Sequence, residues 1–132
     1  MLELAISAGV MVTCLGGTFQ FGYTFYVYNQ LVSAVGDGAR YASVRPKSGD
    51  LESDKTAIRN MVVYGESKPA PNASPVVRGL RPEQVDVEYV QDGGAVRVAI
   101  QKYKVDALFG EFEFSGRPGV EFPYIGRAAG AR

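Results

Sequence analysis

Residues 4–36 of this chain read LAISAGVMVTCLGGTFQFGYTFYVYNQLVSAVG, and none of them carries a charge. The run through Tyr26 supplies the roughly 17 to 25 residues that a helix needs to cross a bilayer. Polar residues then appear on one flank, and tyrosine and phenylalanine crowd the point where they begin, which is typical of a membrane–water boundary. The sequence therefore predicts one continuous helix from Leu2 to Val44, about twice as long as the hydrocarbon layer is thick.

The charged residues divide the chain into two parts. Glu3 is the only charged residue before Asp37, although Lys plus Arg and Asp plus Glu each number 14 in the 132 residues. Because these charges balance, the chain has no overall field that would attract nucleic acid, which argues against a nucleic-acid-binding protein. A chain of this length forms one domain plus an anchor. We predict a long hydrophobic helix at residues 1–44 and a globular head domain at residues 45–132.

Local signals predict the helices and loops of the head. Pro46 ends the first helix, since the residue before a proline tends to leave the helical region. Residues 51–64 are amphipathic at helical spacing, and Gly65 follows as a C-terminal stop. Residues 66–82 contain Pro69, Pro71, Pro75 and Pro82 and little periodicity, which favours an extended surface loop.

Alternating apolar residues predict an antiparallel sheet. Residues 85–89 and 96–100 alternate, and Asp92, Gly93 and Gly94 between them favour a tight hairpin turn. A further strand is predicted at residues 119–125, where Pro123 favours an edge position. The region 102–116, which includes Phe109, Phe112 and Phe114, fits either a strand or a packed loop.

The apolar face of such a sheet must be buried. Its predicted partners are the helix at residues 51–64 and the far half of the long helix, where Leu31, Val35, Ala39 and Ala42 recur every three or four residues. The predicted fold class is α+β, with a long N-terminal helix packed through its C-terminal half on a small antiparallel head with a second short helix.

The composition limits the chemistry that the chain can perform. It contains no histidine, which excludes imidazole acid–base catalysis, a Ser-His-Asp relay and histidine metal ligation. The single cysteine, Cys14, lies in the apolar run and cannot build a thiolate zinc site; we expect it to be a small buried hydrophobe. The glycines do not form a phosphate-binding loop. We predict no catalytic residue, no metal site and no cofactor.

Glu3 is the residue that most needs an explanation, because a carboxylate at the start of a membrane helix is costly unless it is paired or neutralised. It either lies among lipid headgroups, favoured by the helix dipole, or pairs with a positive group of a neighbouring subunit such as its terminal amine. Glycines on the same helix would allow close helix packing, or would make the helix locally flexible. The predicted subunit-docking set is Glu3, Gly16, Gly17, Phe19, Phe21, Tyr23 and Tyr26.

Two segments resemble a known family: ELAIS at residues 3–7 and FQFGYTFYVYNQLVSAVGDGARYASV at residues 19–44. They look like TadE-like proteins, pilin-related subunits of tight-adherence machineries. Those proteins have a Glu followed by a bulky residue and Ala, an apolar run, an aromatic-Gly-aromatic stretch and an ending in Gly-Ala-Arg-Tyr-Ala. Here the ending is matched by Gly38, Ala39, Arg40, Tyr41 and Ala42, to which we assign the coupling of the long helix to the head.

The resemblance implies a pilin-like structural protein of a type IV pilus-related filament, and not an enzyme. It implies processing by a prepilin peptidase, single-pass insertion in a bacterial inner membrane with the head outside, and then extraction into an extracellular adhesive filament. Glu3 would stand where pilins keep the carboxylate that docks incoming subunits. Pilins have that residue at the fifth mature position, whereas here it is third, so we expect a leader already removed or a start further upstream.

The implied partners are copies of the chain, other pilins, the inner-membrane assembly machinery and, before assembly, membrane lipid; nucleic acid is not among them. The alternative function is a monomeric membrane-anchored pseudopilin or assembly factor with a periplasmic binding domain.

Overall fold

The long helix defines the shape of the molecule. The computed structural model describes residues 1–46, 48–90, 94–107 and 110–126. Helix α1 spans Leu2–Val44, the predicted bounds, and its 43 residues extend about 65 Å. It ends at Arg45, which adopts an extended conformation before Pro46 while its N–H still donates to the Tyr41 carbonyl. Cys14, expected to be a small buried hydrophobe in the apolar run, lies on the part of α1 that is exposed in the isolated chain.

Helix α2 spans Leu51–Tyr64, also as predicted. The Asp50 side chain caps it by accepting from the backbone N–H groups of Glu52 and Ser53, which satisfies donors that have no partner within the helix. Gly65 closes the other end in the left-handed conformation, with φ of 73°, and its N–H donates to the Met61 carbonyl.

The head contains two antiparallel sheets instead of the single sheet that the pattern predicts. In the first, β2 (Ala95–Ile100) lies between β1 (Val85–Val90) and β5 (Gly119–Pro123). The second is a hairpin of β3 (Tyr103–Ala107) and β4 (Gly110–Phe114). The chain leaves the first sheet at Lys102, whose φ of 55° turns the backbone away.

The predicted pairing of the first hairpin is confirmed, with Val87 opposite Val98, and β5 is an edge strand as Pro123 indicates. Of the predicted turn, Asp92 and Gly93 lie outside the described residues, as does Phe109 of the second hairpin region.

The segment between α2 and β1 is not a surface loop throughout. The Val76 N–H donates to the Val63 carbonyl at 2.7 Å, and this bond directs the next residue, Val77, into the core together with Leu80. A short 3-10 helix, Pro82–Gln84, then leads into β1. The prolines predict the irregular backbone correctly, but the apolar residues among them decide which part is buried.

The core of the head forms on one face of α1. Leu31, Val35, Ala39 and Ala42 are buried there, as their spacing predicts, against apolar side chains of α2 and of the first sheet. The fully buried apolar side chains of α2 and β2 are Ile58, Val62, Val63, Val96, Val98 and Ile100.

Gly38 lies where α1 packs tightly against α2. A Cβ at this position would overlap the Cγ2 methyl of Val62, a side chain that is fully buried. The absence of a side chain at position 38 therefore sets the distance between α1 and α2.

We expect Gly38→Ala to lower the free energy of unfolding of the head by about 2 kcal/mol, because overpacking at Val62 outweighs the gain in helix propensity. Gly36→Ala is the matched control: no atom lies within 4 Å of its added Cβ, so it should be neutral or stabilising by up to about 1 kcal/mol. Thermal unfolding of the full chain in detergent micelles measures both variants. Equal stability of the two variants would contradict this account of the helix crossing.

Candidate assembly surface

The first half of α1 projects from the head as a bare apolar helix. Its large apolar side chains are exposed: Leu2, Leu4, Ile6, Val10, Met11, Val12 and Leu15. The helix is long and apolar enough to cross a membrane, and none of the residues in its 18-residue apolar window is buried. An exposed apolar surface of this extent needs cover from lipid or from another protein surface.

Glu3 lies in the first turn of α1, where the helix dipole favours a negative charge. Its carboxylate is exposed, and within the part of the chain that the structure describes it forms no salt bridge or side-chain hydrogen bond. Among the described residues of this chain, none supplies a positive partner for Glu3. This is the geometry that both the headgroup and the subunit-docking interpretations require.

The other predicted docking residues do not gather at Glu3. Phe19 lies about 24 Å from Glu3 along the helix axis. The aromatic side chains point outward around the helix, with Phe21 79% exposed and Tyr23 44% exposed, and Tyr26 is likewise exposed. Gly16 and Gly17 are half-buried, and a Cβ on Gly17 would meet no atom within 4 Å. The set is thus spread along the helix, with Glu3 at one end and the aromatic residues in the middle.

The predicted coupling segment lies where α1 meets the head. Gly38, Ala39 and Ala42 are buried, and Tyr41 is half-buried, with its hydroxyl accepting from the Arg45 guanidinium at 2.8 Å. Arg40 is exposed. The small residues of the segment therefore make the close contacts, while its arginine faces solvent.

A buried carboxylate, which sequence reasoning missed, fastens the end of α1 to the head. Asp54 of α2 accepts from the Ser48 N–H at 2.9 Å and from the Ser48 hydroxyl at 2.7 Å, and it faces the Arg45 guanidinium at 3.6 Å. The Arg45 carbonyl in turn accepts from the Tyr124 hydroxyl at 2.8 Å. This cluster, Arg45, Ser48, Asp54 and Tyr124, joins three segments that are distant in sequence.

One signal could have revealed the cluster. Asp54 precedes Ile58 and Val62 at four-residue spacing, so it occupies the apolar face of an amphipathic helix. A carboxylate at such a position must find partners in the interior. The partners themselves could not be read from the sequence, because their approach depends on how the loop after α1 folds.

The surface also contains an open groove of about 630 Å³ at the end of α1 beside α2. Its charged lining consists of Asp37, Arg40 and Arg45. No nucleophile lies beside a general base in this lining. Among the described residues, no three His, Cys, Asp or Glu side chains are grouped as metal ligands.

Comparison with known proteins bears on the N-terminal part of the chain. No curated protein and no solved structure matches the chain significantly. The model of the TadE-like protein family matches residues 1–40, which cover the bare half of α1 and most of its contact with the head. This match and the apolar helix fit a pilus-related, membrane-anchored protein. The resemblance to TadE-like proteins is thus confirmed over the first 40 residues.

Proposed function

We propose that this chain is a structural pilin-like subunit that polymerises through its N-terminal helix into an extracellular or envelope-spanning filament. The observation that carries this proposal is the division of α1 into two halves. The second half supplies one wall of the head's core, whereas the first half presents only exposed side chains, with the exception of its junction with the head near Gln20. One rigid element therefore connects the folded head to a surface that cannot remain in water.

Membrane lipid covers the bare half of α1 before assembly, in a single-pass arrangement in the inner membrane with the head outside. In the filament, the same surface packs against copies of the chain. Exchanging lipid for protein gains little from the hydrophobic effect, so helix packing and polar contacts must drive the exchange. Glu3 is proposed to be one of these contacts, pairing with a positive group of an adjacent subunit.

The proposal requires no catalytic group, no cofactor and no nucleic acid. Its partners are copies of the chain, other pilins, the assembly machinery and a prepilin peptidase that processes the N-terminus. The heads would form the outer surface of the filament and account for adhesion.

The second candidate is a monomeric membrane-anchored pseudopilin or assembly factor with a periplasmic binding domain. It is favoured by the groove beside α2, which a partner other than this chain could occupy, and it leaves α1 permanently in lipid.

Electron microscopy of material sheared from the surface of producing cells separates the two candidates. The proposal predicts filaments that contain this chain, as detected with an antibody against the head. Complete retention of the chain in the membrane fraction, with none in the sheared filaments, would favour the anchored monomer.

A further inference from the structure

The β3–β4 hairpin lies at the end of the head that faces the bare half of α1. The N–H of Ile125, just after β5, donates to the Ser43 carbonyl, so one end of the first sheet is level with the end of α1. The chain leaves this sheet at Lys102, which lies at the opposite end. The hairpin that follows meets α1 at Tyr28, whose ring centroid is 5.6 Å from that of Phe114. This contact lies about 22 Å before Ser43 along the helix axis.

The head also covers one face of α1 beyond Tyr28, towards the N-terminus. Gln20 is only 8% exposed, and the hydroxyl of Thr24 is buried. Val105 of β3 is buried in the same core as Val27. The head therefore reaches the part of α1 at which aromatic residues crowd, and the hairpin is the element that contacts the helix there.

Distances along α1 place the hairpin at the level of a membrane surface. The helix rises about 26 Å from Glu3 to Gln20 and about 38 Å from Glu3 to Tyr28. The hydrocarbon layer is about 30 Å thick, and the bilayer about 40–45 Å with its headgroups. With Glu3 at one hydrocarbon boundary, Gln20 lies just inside the other, and Tyr28 lies at the outer edge of the headgroups. Lipid thus surrounds whatever protein surface lies between these two levels.

The hairpin has one apolar face and one charged face. Phe112 and Phe114 lie on the side of β4 that contacts α1, since alternate residues of a strand share a face. Val105 is directly opposite Phe112 and is buried, whereas Phe112 remains 50% exposed. On the other face, Lys104 and Glu111 form an exposed ion pair at 3.1 Å. The hairpin is therefore amphipathic, and its apolar face is incompletely covered by the chain itself.

The uncovered part of this face continues an exposed surface of α1. Phe21, Phe25 and Tyr28 follow at spacings of four and three residues, so they share one face of the helix. Both phenylalanines are exposed, and Tyr28 joins them to Phe114 and so to the Phe112 side of β4. We call these five side chains the aromatic strip. An exposed apolar surface of this kind needs cover from another phase or molecule.

We propose that the β3–β4 hairpin is a second membrane contact, which places Phe112 at the headgroup–acyl boundary of the leaflet from which α1 emerges. This inference rests on the membrane-anchored stage of the proposed function and holds equally for the anchored monomer. The occupant is lipid, because the aromatic strip continues the surface of a helix that crosses the membrane and lies level with the membrane surface. The head is then seated on the bilayer and is not free to tilt about α1.

Charge limits the depth of this contact and its dependence on lipid type. The Lys104–Glu111 pair must stay among headgroups or in water, because ionised side chains are costly in hydrocarbon. Among the described side chains of the hairpin, Lys104 carries a positive charge and Glu111 and Glu113 carry negative charges. Anionic lipid should therefore not strengthen the contact, which depends on the apolar side chains.

Fluorescence quenching of the full chain in phosphatidylcholine vesicles, at low chain density, tests the proposal. Phe112→Cys in a Cys14→Ser background carries an NBD label, and nitroxide groups are placed on the lipids near the headgroup. We expect several-fold stronger quenching at this position than with the same label on Leu51→Cys. Leu51 is the matched control, because it is 47% exposed but begins α2, beside the far end of α1.

Glu113→Cys, on the opposite face of the same strand, is the second control. Its label should be several-fold more accessible to iodide in water than the label at position 112. Phe112 is half-exposed, so its replacement leaves the buried core of the head intact. Equal iodide access at positions 112 and 113, or lipid quenching at 112 no stronger than at 51, would overturn the proposal.

A label on the native Cys14 reports on the membrane segment itself. Quenching at Cys14 without quenching at position 112 would remove the hairpin contact and leave the proposed function intact. No quenching at Cys14 would contradict the membrane-anchored stage on which both depend. Quenching at position 112 that appears only at high chain density, or only with anionic phosphatidylglycerol, would also overturn the proposal. The first of these results would show that another copy of the chain covers the strip, and the second that charge drives the contact.

Discussion

Cells that make the Glu3→Ala variant are expected to insert the chain into the membrane but to assemble no filaments. The apolar run after Glu3 is unchanged by this substitution, so the affinity of the helix for lipid is preserved. On the proposed function, however, the carboxylate pairs with a positive group of the next subunit away from water. Removing one partner of a buried ion pair costs about 3 kcal/mol or more, which corresponds to at least a hundredfold loss in the association constant.

Asp37→Ala is the matched control, since Asp37 is the next acidic residue of α1 and lies exposed beside the head. It should leave filament yield unchanged. Filament yield is measured by immunoblotting of sheared material, with membrane fractions as the measure of insertion. Normal filament yield from Glu3→Ala would remove the proposed role of the carboxylate and favour its simpler position among lipid headgroups.

The second large effect is expected at the carboxylate that fastens α1 to the head. Asp54→Ala should lower the free energy of unfolding by about 3 kcal/mol, because it leaves the Ser48 N–H and hydroxyl and the Arg45 guanidinium without their acceptor. The Arg45 side chain is 30% exposed, so water partly compensates Arg45 for the loss of its ion pair with Asp54. The Asp54 side chain itself is only 3% exposed. We expect the end of α1, the α1–α2 connection and the residues after β5 to loosen together.

The control on the same helix is Glu52→Ala. Glu52 forms a surface pair with Lys55 at 3.3 Å and its side chain is 74% exposed, so its loss should cost less than about 1 kcal/mol. Unfolding of both variants in detergent micelles decides the matter. If Asp54→Ala were no more destabilising than Glu52→Ala, the buried cluster would not be what secures α1.

Tyr89 gives a second measure of the same cluster. Burial, then the negative charge of Asp54, raises the pKa of the Tyr89 phenol above 10.0, while Arg45 lowers it. Because the folded state holds this proton more tightly, the contribution to stability is fully present below pH 10 and is lost as the pH rises through the folded pKa. Asp54→Asn, which keeps the shape of the side chain, should lower the pKa of Tyr89, and ultraviolet titration measures this.

The sequence predicts the elements of this fold well where one local rule decides the outcome. An uncharged run followed by proline determines α1, and the amphipathic spacing with a terminal glycine determines α2. The first hairpin follows from simple alternation. The edge position of β5 follows from Pro123, which has no N–H to donate to a further strand. In each case the deciding residues are neighbours in the chain.

The rest depends on contacts between distant residues. The separate β3–β4 hairpin arises from the turn at Lys102, a residue with no strong preference for positive φ, so alternation alone could not distinguish one sheet from two. Similarly, Val77 and Leu80 are buried only because the chain pairs with the end of α2 at Val63. The burial of the Gln20 amide without a hydrogen-bonding partner could be seen only in the folded chain, since the sequence shows only a glutamine in an apolar run.

The central claim is that the apolar first half of α1 stays attached and exchanges lipid for copies of the same helix. Mass spectrometry of the chain recovered from sheared surface material, with its assembly state measured by electron microscopy of the same sample, tests this claim directly. The account predicts filaments whose subunits retain the apolar segment at residues 4–36. A water-soluble, monomeric polypeptide that lacks this segment would contradict it.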